Sequence, residues 1–327
     1  METRRPLIID IKRDSREDGP GIRSVVFFKG CPLRCVFCHN PEAQQSGLEI
    51  AFAEEHCVRC GACQEACPRL AIDLDRASRI DRESCDHCGR CVEACPEGAL
   101  RMIGTYWPVE NLVPLLLRDV SFYRHSGGGV TLSGGECTMF PDYVRSLLQR
   151  LKACGIHTAL ETSGYFDYEV FARKILPYLD LVLFDIKIID REESLRYLGR
   201  SNESILNNLR RLLAQDTVEV RPRVPVIPEI TDSRDNFSAV VNYLCEAAAR
   251  EISLVPYNPL GAAMYTRLGR AIPDVPSGFM KPEREEQTFK MFREIIERKR
   301  GQRRQTENAE LPGIPVPPAV KTEEKHP

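Results

Sequence analysis

Short apolar runs recur along the chain, and amphipathic segments separate them. Each run is brief and mostly apolar, which is typical of parallel strands covered on both faces. We therefore predict six buried strands, at residues 24–28, 130–132, 157–160, 181–184, 218–224 and 252–255. Residues 7–11 predict a further strand at an edge of the sheet.

The segments between these runs carry apolar residues at helical spacing. Residues 141–154 put Leu147, Leu148 and Leu151 on one face, with a proline at the start and Gly155 just beyond the end. Proline favours the first turn of a helix, and glycine favours the position after its last turn. Similar patterns predict helices at about 109–125, 168–176, 202–213, 236–250 and 284–298.

Strands that alternate with helices predict an α/β protein with a parallel sheet. A closed barrel of this kind needs eight strands, so six strands predict a partial (β/α)6 barrel of the TIM type. A doubly wound open sheet is the alternative, and periodicity does not separate the two. In either fold, functional side chains are expected at the carboxyl ends of the strands.

One segment, residues 46–104, interrupts this alternation and is rich in cysteine. We predict that it is an inserted domain and that residues 1–45 and 105–300 together form the barrel. Residues 301–327 are polar and rich in proline. Such a segment buries little apolar surface, so we predict that it is disordered.

Charge and hydropathy argue against several classes of partner. The formal net charge is −2, with acidic and basic residues interspersed, so neither nucleic acid nor an anionic membrane is expected as a partner. The sequence contains no apolar run of about 18 residues that would span a membrane, and no secretory signal. We therefore expect a cytoplasmic protein.

Eleven of the 14 cysteines lie between Cys31 and Cys95. In the reducing cytoplasm, closely spaced cysteines are metal ligands more often than disulfide partners. The other three cysteines lie in apolar or helical patterns and are expected to pack in the core; they are Cys137, Cys154 and Cys245.

Eight cysteines of the predicted insert form two CxxCxxCxxxCP runs. In bacterial two-cluster ferredoxins, the fourth cysteine of each such run binds the other cluster. We assign one [4Fe–4S] cluster to Cys57, Cys60, Cys63 and Cys95, and a second to Cys67, Cys85, Cys88 and Cys91. The alternative, structural zinc, usually uses two CxxC pairs. The insert resembles such a ferredoxin, which implies one-electron transfer.

A third group, Cys31, Cys35 and Cys38, follows the first predicted strand and offers three thiolates. Three ligands leave one iron of a four-iron cluster free, and an open coordination position is where a metal site does chemistry. This CxxxCxxC loop resembles that of the radical S-adenosylmethionine superfamily. There, the amino and carboxylate groups of S-adenosylmethionine bind the free iron. A zinc site with His39 as fourth ligand is the alternative.

The flanking motifs resemble those of a narrower family. They are DGPGIR at residues 18–23, KGCPLRCVFCHNPE at 29–42 and SGGGVTLSGGE at 126–136. Together they are similar to the glycyl-radical-enzyme activating enzymes, the group that contains pyruvate formate-lyase activase. The resemblance covers about residues 7–269, and the two-cluster insert is typical of the subgroup that activates dehydratases, decarboxylases and other lyases.

This resemblance implies a function, cofactors and partners. The enzyme would be an oxidoreductase that cleaves S-adenosylmethionine to methionine and a 5′-deoxyadenosyl radical. The radical would abstract hydrogen from a backbone glycine of a partner glycyl radical enzyme. Three [4Fe–4S] clusters, S-adenosylmethionine and a low-potential donor such as flavodoxin or ferredoxin are implied. Reduced clusters and a glycyl radical react with oxygen, so anaerobic physiology follows.

The resemblance also implies residue roles around S-adenosylmethionine. Cys31, Cys35 and Cys38 would hold the catalytic cluster. Gly134, Gly135 and Glu136 would hold the amino end of the cofactor. Asp185 and Lys187 would contact its sulfonium, carboxylate or ribose.

Further implied positions include two departures from the family pattern. Arg223 would pair with a carboxylate or steady the partner's loop, and Asp18 would meet the partner's glycine loop. Glu161 stands where pyruvate formate-lyase activase has Asp, and a longer carboxylate can still bind a cation or a ribose. Asn258 replaces a common His; it keeps hydrogen bonding but does not titrate near neutral pH.

Two other functions compete with this interpretation. One is a radical enzyme that acts on a small molecule or another peptide, against which the motif at residues 18–23 argues. The other is a ferredoxin-type electron carrier, against which the three-cysteine site argues. A glycyl radical on a co-expressed partner, and deoxyadenosine formation, distinguish the three.

Iron content tests the cysteine assignments. We expect about twelve irons per chain after anaerobic reconstitution, because each of three cubane clusters holds four. A variant with Cys31, Cys35 and Cys38 all changed to Ala should lose only about four of them. A colourless, zinc-loaded protein would contradict the assignment.

Overall fold

A seven-stranded sheet organises the chain in the computed structural model, which describes residues 5–306. Its strands, in spatial order, are β1 (Leu7–Ser15), β2 (Arg23–Lys29), β5 (Gly129–Gly134), β6 (His157–Thr162), β7 (Leu181–Asp185), β8 (Glu219–Val226) and β9 (Ser253–Pro256). A separate two-stranded sheet contains β3 (Glu49–Phe52) and β4 (Leu100–Ile103).

The strand order decides between the two predicted topologies. Within the large sheet, β2, β5, β6, β7, β8 and β9 lie side by side in chain order, and each neighbouring pair is parallel. A doubly wound sheet reverses its strand order at a switch point, and this sheet does not. The partial barrel is therefore confirmed. β1 pairs antiparallel with β2 at the edge, as predicted for residues 7–11.

Two short helices belong to the cysteine-rich segment, α1 (Ala62–Glu65) and α2 (Arg90–Glu93). The other helices follow strands of the large sheet, and several pack on it. They are α3 (Val109–Leu116), α4 (Val120–Ser126), α5 (Pro141–Ala153), α6 (Tyr168–Lys174), α7 (Arg191–Leu198), α8 (Glu203–Leu213), α9 (Arg234–Glu246), α10 (Ala262–Arg267) and α11 (Pro282–Thr306). The predicted apolar face of α5 is fully buried at Leu147, Leu148 and Leu151. Each such leucine contributes about 1.5–3 kcal/mol.

One helical prediction needs correction. The segment predicted as one helix at 109–125 forms α3 and α4, separated by a 3-10 turn at Leu117–Asp119. The turn directs the buried Asp119 carboxylate toward β2, where Ser24 donates to it at 3.0 Å.

α7 was absent from the predicted elements. The Asp190 side chain caps it by accepting a hydrogen bond from the Glu193 N–H at 2.8 Å. An acidic cap followed three residues later by Glu is a helix-start signal that the sequence does contain.

The end of the chain and one cysteine also differ from expectation. α11 continues to Thr306, so the predicted disorder is wrong for residues 301–306; residues 307–327 lie outside the described part. Cys137 and Cys245 are buried as expected, whereas Cys154 is exposed because it follows the last residue of α5. No helix between residues 5 and 306 combines the length and apolar character needed to cross a membrane.

The cysteine-rich segment around β3 and β4 has an apolar cluster of its own. Ile50, Phe52 and Leu100 pack there beside several cysteines. Gly61 and Gly89 precede α1 and α2 with φ of 85° and 82°. Only glycine adopts this backbone without strain, so each cysteine run can reverse between its second and third cysteines.

A buried ion cluster joins this segment to the barrel. Lys29, at the end of β2, is fully buried and its Nζ donates to Glu49 at 2.6 Å. Arg270 donates to the other Glu49 oxygen and to the Pro41 carbonyl. The Glu49 carboxylate therefore neutralises two cations from separate parts of the chain and locks β3 against the barrel.

We expect Glu49→Ala to lower the free energy of unfolding by about 3–5 kcal/mol, because it leaves buried Lys29 without its counter-charge. Urea titration under anaerobic conditions measures this change. Glu55→Ala is the matched control, since Glu55 pairs with Arg267 in solvent and an exposed pair contributes little to stability. Equal effects of the two substitutions would contradict the assignment.

Candidate active site

The three-cysteine loop leaves β2 at Lys29 and is closed at its base. The Gly30 N–H donates to the Ala43 carbonyl at 2.7 Å. Further along, the Arg34 N–H donates to the Leu198 carbonyl at 2.8 Å. The loop is thus held between its own exit and the end of α7, at the carboxyl ends of the strands.

The chemistry of this loop fits a cationic cluster. Burial raises the pKa of the Cys31, Cys35 and Cys38 thiols, that of Cys38 to about 12. Cys35 adds to the effect on both neighbours, so the three sulfurs lie close enough to repel as thiolates. Thiolates are the ligands of iron and need a positive partner in such surroundings. Three half-buried, converging thiols therefore suit a metal cluster.

The cysteine-rich segment brings its eight predicted ligands together in two groups. One cavity is lined by Cys57, Cys60, Cys63 and Cys95. On the other side, burial raises the pKa of Cys91 to about 11, with contributions from Cys85, Cys67 and Cys88. Each group takes its fourth cysteine from the other run. In residues 5–306 no three His, Cys, Asp or Glu side chains are spaced to hold a single metal ion; a four-iron cube separates its ligands more widely.

Four predicted ligand contacts form one buried ionic network at the strand ends. Arg223 on β8 lies between Glu161 on β6 and Asp185 on β7, with N–O distances of 2.5 Å and 2.8 Å. Lys187 donates to the second Asp185 oxygen at 3.0 Å. Parallel pairing places Asp185 level with Arg223, and Glu161 level with Leu183, two residues before Asp185.

The electrostatics of this network differ between its two carboxylates. Burial raises the pKa of Glu161. The Arg223 cation lowers this pKa, whereas the nearby Asp18 and Asp185 carboxylates raise it, and the net shift is upward. For Asp185 burial acts in the same direction, but Arg223 and Lys187 outweigh it and hold the pKa of that carboxyl below its usual range. Asp185 is therefore the firmly ionised member.

Lys187 links this network to the cysteine loop. Burial disfavours its charge, but Asp185 and Cys35 outweigh burial and raise the pKa of the ammonium group. Lys187 in turn opposes the burial that raises the pKa of Cys35. The cysteine loop and the ionic network therefore face one another across a short distance.

Gly134 and Gly135 are required by close backbone packing. A Cβ on Gly134 would lie 2.3 Å from the Phe28 nitrogen, and one on Gly135 would lie 2.1 Å from the Gly30 carbonyl oxygen. The Glu136 N–H donates to that same carbonyl at 2.8 Å. These glycines thus bring the end of β5 against the start of the cysteine loop.

The Glu136 side chain is fully buried and already hydrogen-bonded. Its carboxylate accepts from the Thr162 hydroxyl at 2.9 Å, from the Ser163 hydroxyl at 2.8 Å and from the Thr138 hydroxyl at 2.8 Å. The Ser163 N–H donates as well, at 3.0 Å. A contact with the amino group of a cofactor would require this carboxylate to exchange one of these partners.

The structure places the last two predicted residues differently. Asn258 follows β9, and its side chain accepts from the Leu260 N–H at 3.0 Å. Asp18 accepts from Ser15, and its carbonyl accepts from Thr131 on β5 at 2.7 Å. The structure thus brings Asp18 to the ionic network, whereas it uses the Asn258 side chain to cap a short turn.

Comparison with known proteins gives the family. Models of a 4Fe-4S dicluster domain and a 4Fe-4S single cluster domain match residues 49–96 and 17–69. The chain is 43% identical over 274 residues to the benzylsuccinate synthase activating enzyme of Thauera aromatica, covering 81% of this chain and 82% of that protein.

Two further relatives cover similar shares. The choline trimethylamine-lyase activating enzyme of Oleidesulfovibrio alaskensis is 40% identical over 281 residues, 84% of this chain and 90% of that protein. The trans-4-hydroxy-L-proline dehydratase activating enzyme of Clostridioides difficile is 39% identical over 267 residues, which cover 80% of this chain and 88% of that protein. This chain belongs to the glycyl-radical-enzyme activating enzymes. It is a radical S-adenosylmethionine oxidoreductase that carries iron–sulfur clusters.

Sequence reasoning missed several side chains of this activating enzyme. Ser133 donates to Glu161, and Thr162 and Ser163 donate to Glu136. The alternation of Thr131 and Ser133 along β5 was a usable signal, because such spacing puts both on one face. The donors to Glu136 had no comparable signal, since they come from another strand.

We expect Arg223→Met to destabilise the activating enzyme more at pH 8.5 than at pH 6. Without the guanidinium the pKa of Glu161 rises further, the folded state binds an extra proton, and stability falls as pH rises. At pH 8.5 the loss should be about 3 kcal/mol, as for a buried charge left unpaired.

Anaerobic urea titration at both pH values measures this difference. Arg221→Met is the control, because Arg221 pairs with Glu219 on the same strand and is half-exposed. A loss that does not change with pH would count against the role of Glu161.

Proposed function

We propose that this chain activates a glycyl radical enzyme by generating a 5′-deoxyadenosyl radical at the cysteine loop and delivering it to a backbone glycine. One observation carries the proposal: Lys187 interacts electrostatically with Cys35 while it binds Asp185. The cluster ligands and the polar residues that suit S-adenosylmethionine thus lie next to one another. When bound, a [4Fe–4S] cluster supplies the electron that breaks the sulfonium S–C bond.

The ionic network suits the zwitterionic end of S-adenosylmethionine. Lys187 and Arg223 offer cations to its carboxylate, and Asp185, held ionised, offers a counter-charge to the sulfonium or a hydrogen-bond acceptor to the ribose. Gly134 and Gly135 hold the backbone that faces the amino group, and Glu136 fixes that backbone from inside. Binding then consists of exchanging internal ion pairs for pairs with the cofactor.

Asp18 is the proposed contact with the partner's glycine loop. Its segment is supported from below by Arg23, which is fully buried and donates to the Thr131 hydroxyl at 2.6 Å and the Val130 carbonyl at 2.8 Å. Beside the segment a cavity of about 170 Å³ lies between Glu17, Gly19 and Arg223. A small, flexible loop is the kind of partner that fits such an opening.

The cysteine-rich segment is proposed as a domain, residues 46–104, that holds two of three [4Fe–4S] clusters and supplies electrons to the third. A low-potential carrier such as flavodoxin or ferredoxin would reduce it. Such clusters require a reducing compartment, so a cytoplasmic location is proposed. The three relatives named above activate a synthase, a lyase and a dehydratase, and a partner from this group of enzymes is proposed here.

The test uses the reconstituted activating enzyme, S-adenosylmethionine, dithionite and a glycyl radical enzyme encoded beside it. We expect 5′-deoxyadenosine and a glycyl radical signal in electron paramagnetic resonance. Lys187→Met should raise the concentration of S-adenosylmethionine needed by about ten- to hundredfold, because a charge-assisted hydrogen bond contributes about 1.5–3 kcal/mol.

Lys152→Met is the matched control, since Lys152 pairs with Asp180 at the surface. Deoxyadenosine without a glycyl radical would favour the small-molecule or peptide alternative. Absence of deoxyadenosine would favour the electron carrier.

A further inference from the structure

Arg79 is a buried arginine without a carboxylate partner. It is 3% exposed, and its guanidinium lies 4.9 Å from the centre of the Phe52 ring. Nearby Arg59 and Arg76 pair with Asp75 and Asp81, whereas no carboxylate in the described part of the chain pairs with Arg79. Its Nε has no hydrogen-bond partner there either.

The guanidinium reaches a predicted cluster ligand. Its Nη2 donates to the Cys57 Sγ across 3.8 Å, and Nη1 donates to the Leu74 carbonyl. Cys57 belongs to the cavity whose other thiols are Cys60, Cys63 and Cys95. The charge therefore lies at the wall of one of the two cluster cavities.

A strained hairpin holds Arg79 in this place. Ile72 and Ile80 form an antiparallel bridge, and the Asp73 N–H donates to the Arg79 carbonyl at 3.0 Å. Arg79 itself has φ of 59°, a left-handed backbone that is uncommon for a residue with a side chain. Such strain persists only where surrounding contacts impose it, so the hairpin directs this side chain inward.

An uncompensated buried charge costs several kcal/mol, so the Arg79 guanidinium needs an anion beside it. In the described part of the chain no carboxylate pairs with Arg79, and the cluster thiolates are the anions within its reach. We propose that Arg79 is the counter-charge and hydrogen-bond donor of the cluster bound by Cys57, Cys60, Cys63 and Cys95, and that it raises the reduction potential of this cluster above that of its neighbour. Positive charge and hydrogen bonds to sulfur favour the reduced, more negative cluster. The inference rests on the cluster assignment made under the proposed function.

The two halves of the segment supply an internal reference. The Ala99 N–H donates to Cys95 Sγ and the Ala71 N–H donates to Cys67 Sγ, both at 3.3 Å. Each cluster thus has one equivalent backbone donor. Arg79 lies 22 residues after Cys57. The residue 22 positions after Cys85 is Trp107, which packs against the barrel core instead. Arg82 acts on Cys85 of the second cluster through its charge, but among residues 5–306 only Arg79 donates a guanidinium hydrogen bond to a sulfur of this segment. The two potentials therefore separate, and an electron shared between the clusters rests on the Arg79 side.

Redox titration monitored by electron paramagnetic resonance tests this inference in the full chain. Arg79→Met keeps an unbranched apolar side chain against Phe52 but removes the charge. We expect the midpoint potential of one cluster to fall, while those of the other clusters stay unchanged. The fall should be at least about 59 mV, which is a tenfold decrease in the equilibrium constant for one-electron reduction. Arg79→Lys should shift that midpoint less. The variant with Cys31, Cys35 and Cys38 changed to Ala identifies the two signals of the cysteine-rich segment.

Arg59→Met is the matched control, because Arg59 adjoins Cys60 but is exposed and paired with Asp75; its midpoints should not move. Loss of about four irons from Arg79→Met but not from Arg79→Lys would also support the counter-charge. Unchanged midpoints in iron-complete Arg79→Met, or loss of that cluster from both variants, would overturn the inference. If the cluster assignment itself is wrong, the wild-type protein will hold fewer than about twelve irons per chain after reconstitution. That result is distinguishable from a failure of the Arg79 inference.

Discussion

The Arg223 guanidinium, placed between the carboxylates of two other strands, is the interaction on which the site depends. Glu161 and Asp185 lie near the carboxyl ends of β6 and β7, two residues apart in register, and Arg223 pairs with both. Two buried carboxylates at that distance repel, and one cation between them makes the arrangement stable. Lys187 then extends the network toward Cys35. The same charges that hold the strand ends together are therefore the ones available to a zwitterionic cofactor.

Buried cations recur wherever separate parts of this protein meet. Arg23 supports the segment that carries Asp18, Lys29 joins the barrel to β3, and Arg79 lies against a cluster cavity. A buried charge tolerates few positions of its acceptor, because the cost of misplacement is several kcal/mol. Cations of this kind therefore fix the relative positions of loops, and radical chemistry requires such accuracy between cluster, cofactor and target.

The elements that sequence reasoning predicted are those with local causes. Apolar runs at residues 130–132 and 181–184 became β5 and β7 because a short apolar segment has to be covered on both faces. The helix predicted at 109–125 failed at its middle because a turn there serves Asp119, which contacts β2, a distant part of the chain. The missed helix α7 had a signal in Asp190 and Glu193, which shows that short polar motifs carry information that apolar periodicity omits.

By itself the sequence determined the strand and helix pattern, the cysteine spacings and the family, since each depends on residues near one another in the chain. It did not determine that Glu136 turns inward to Thr162 and Ser163, that Glu161 and Asp185 share Arg223, or that Arg79 meets Cys57. Those partners are far apart along the chain and come together only through strand register and loop closure. Spacing therefore predicted how the cysteines group, and the tertiary structure decided which charges surround them.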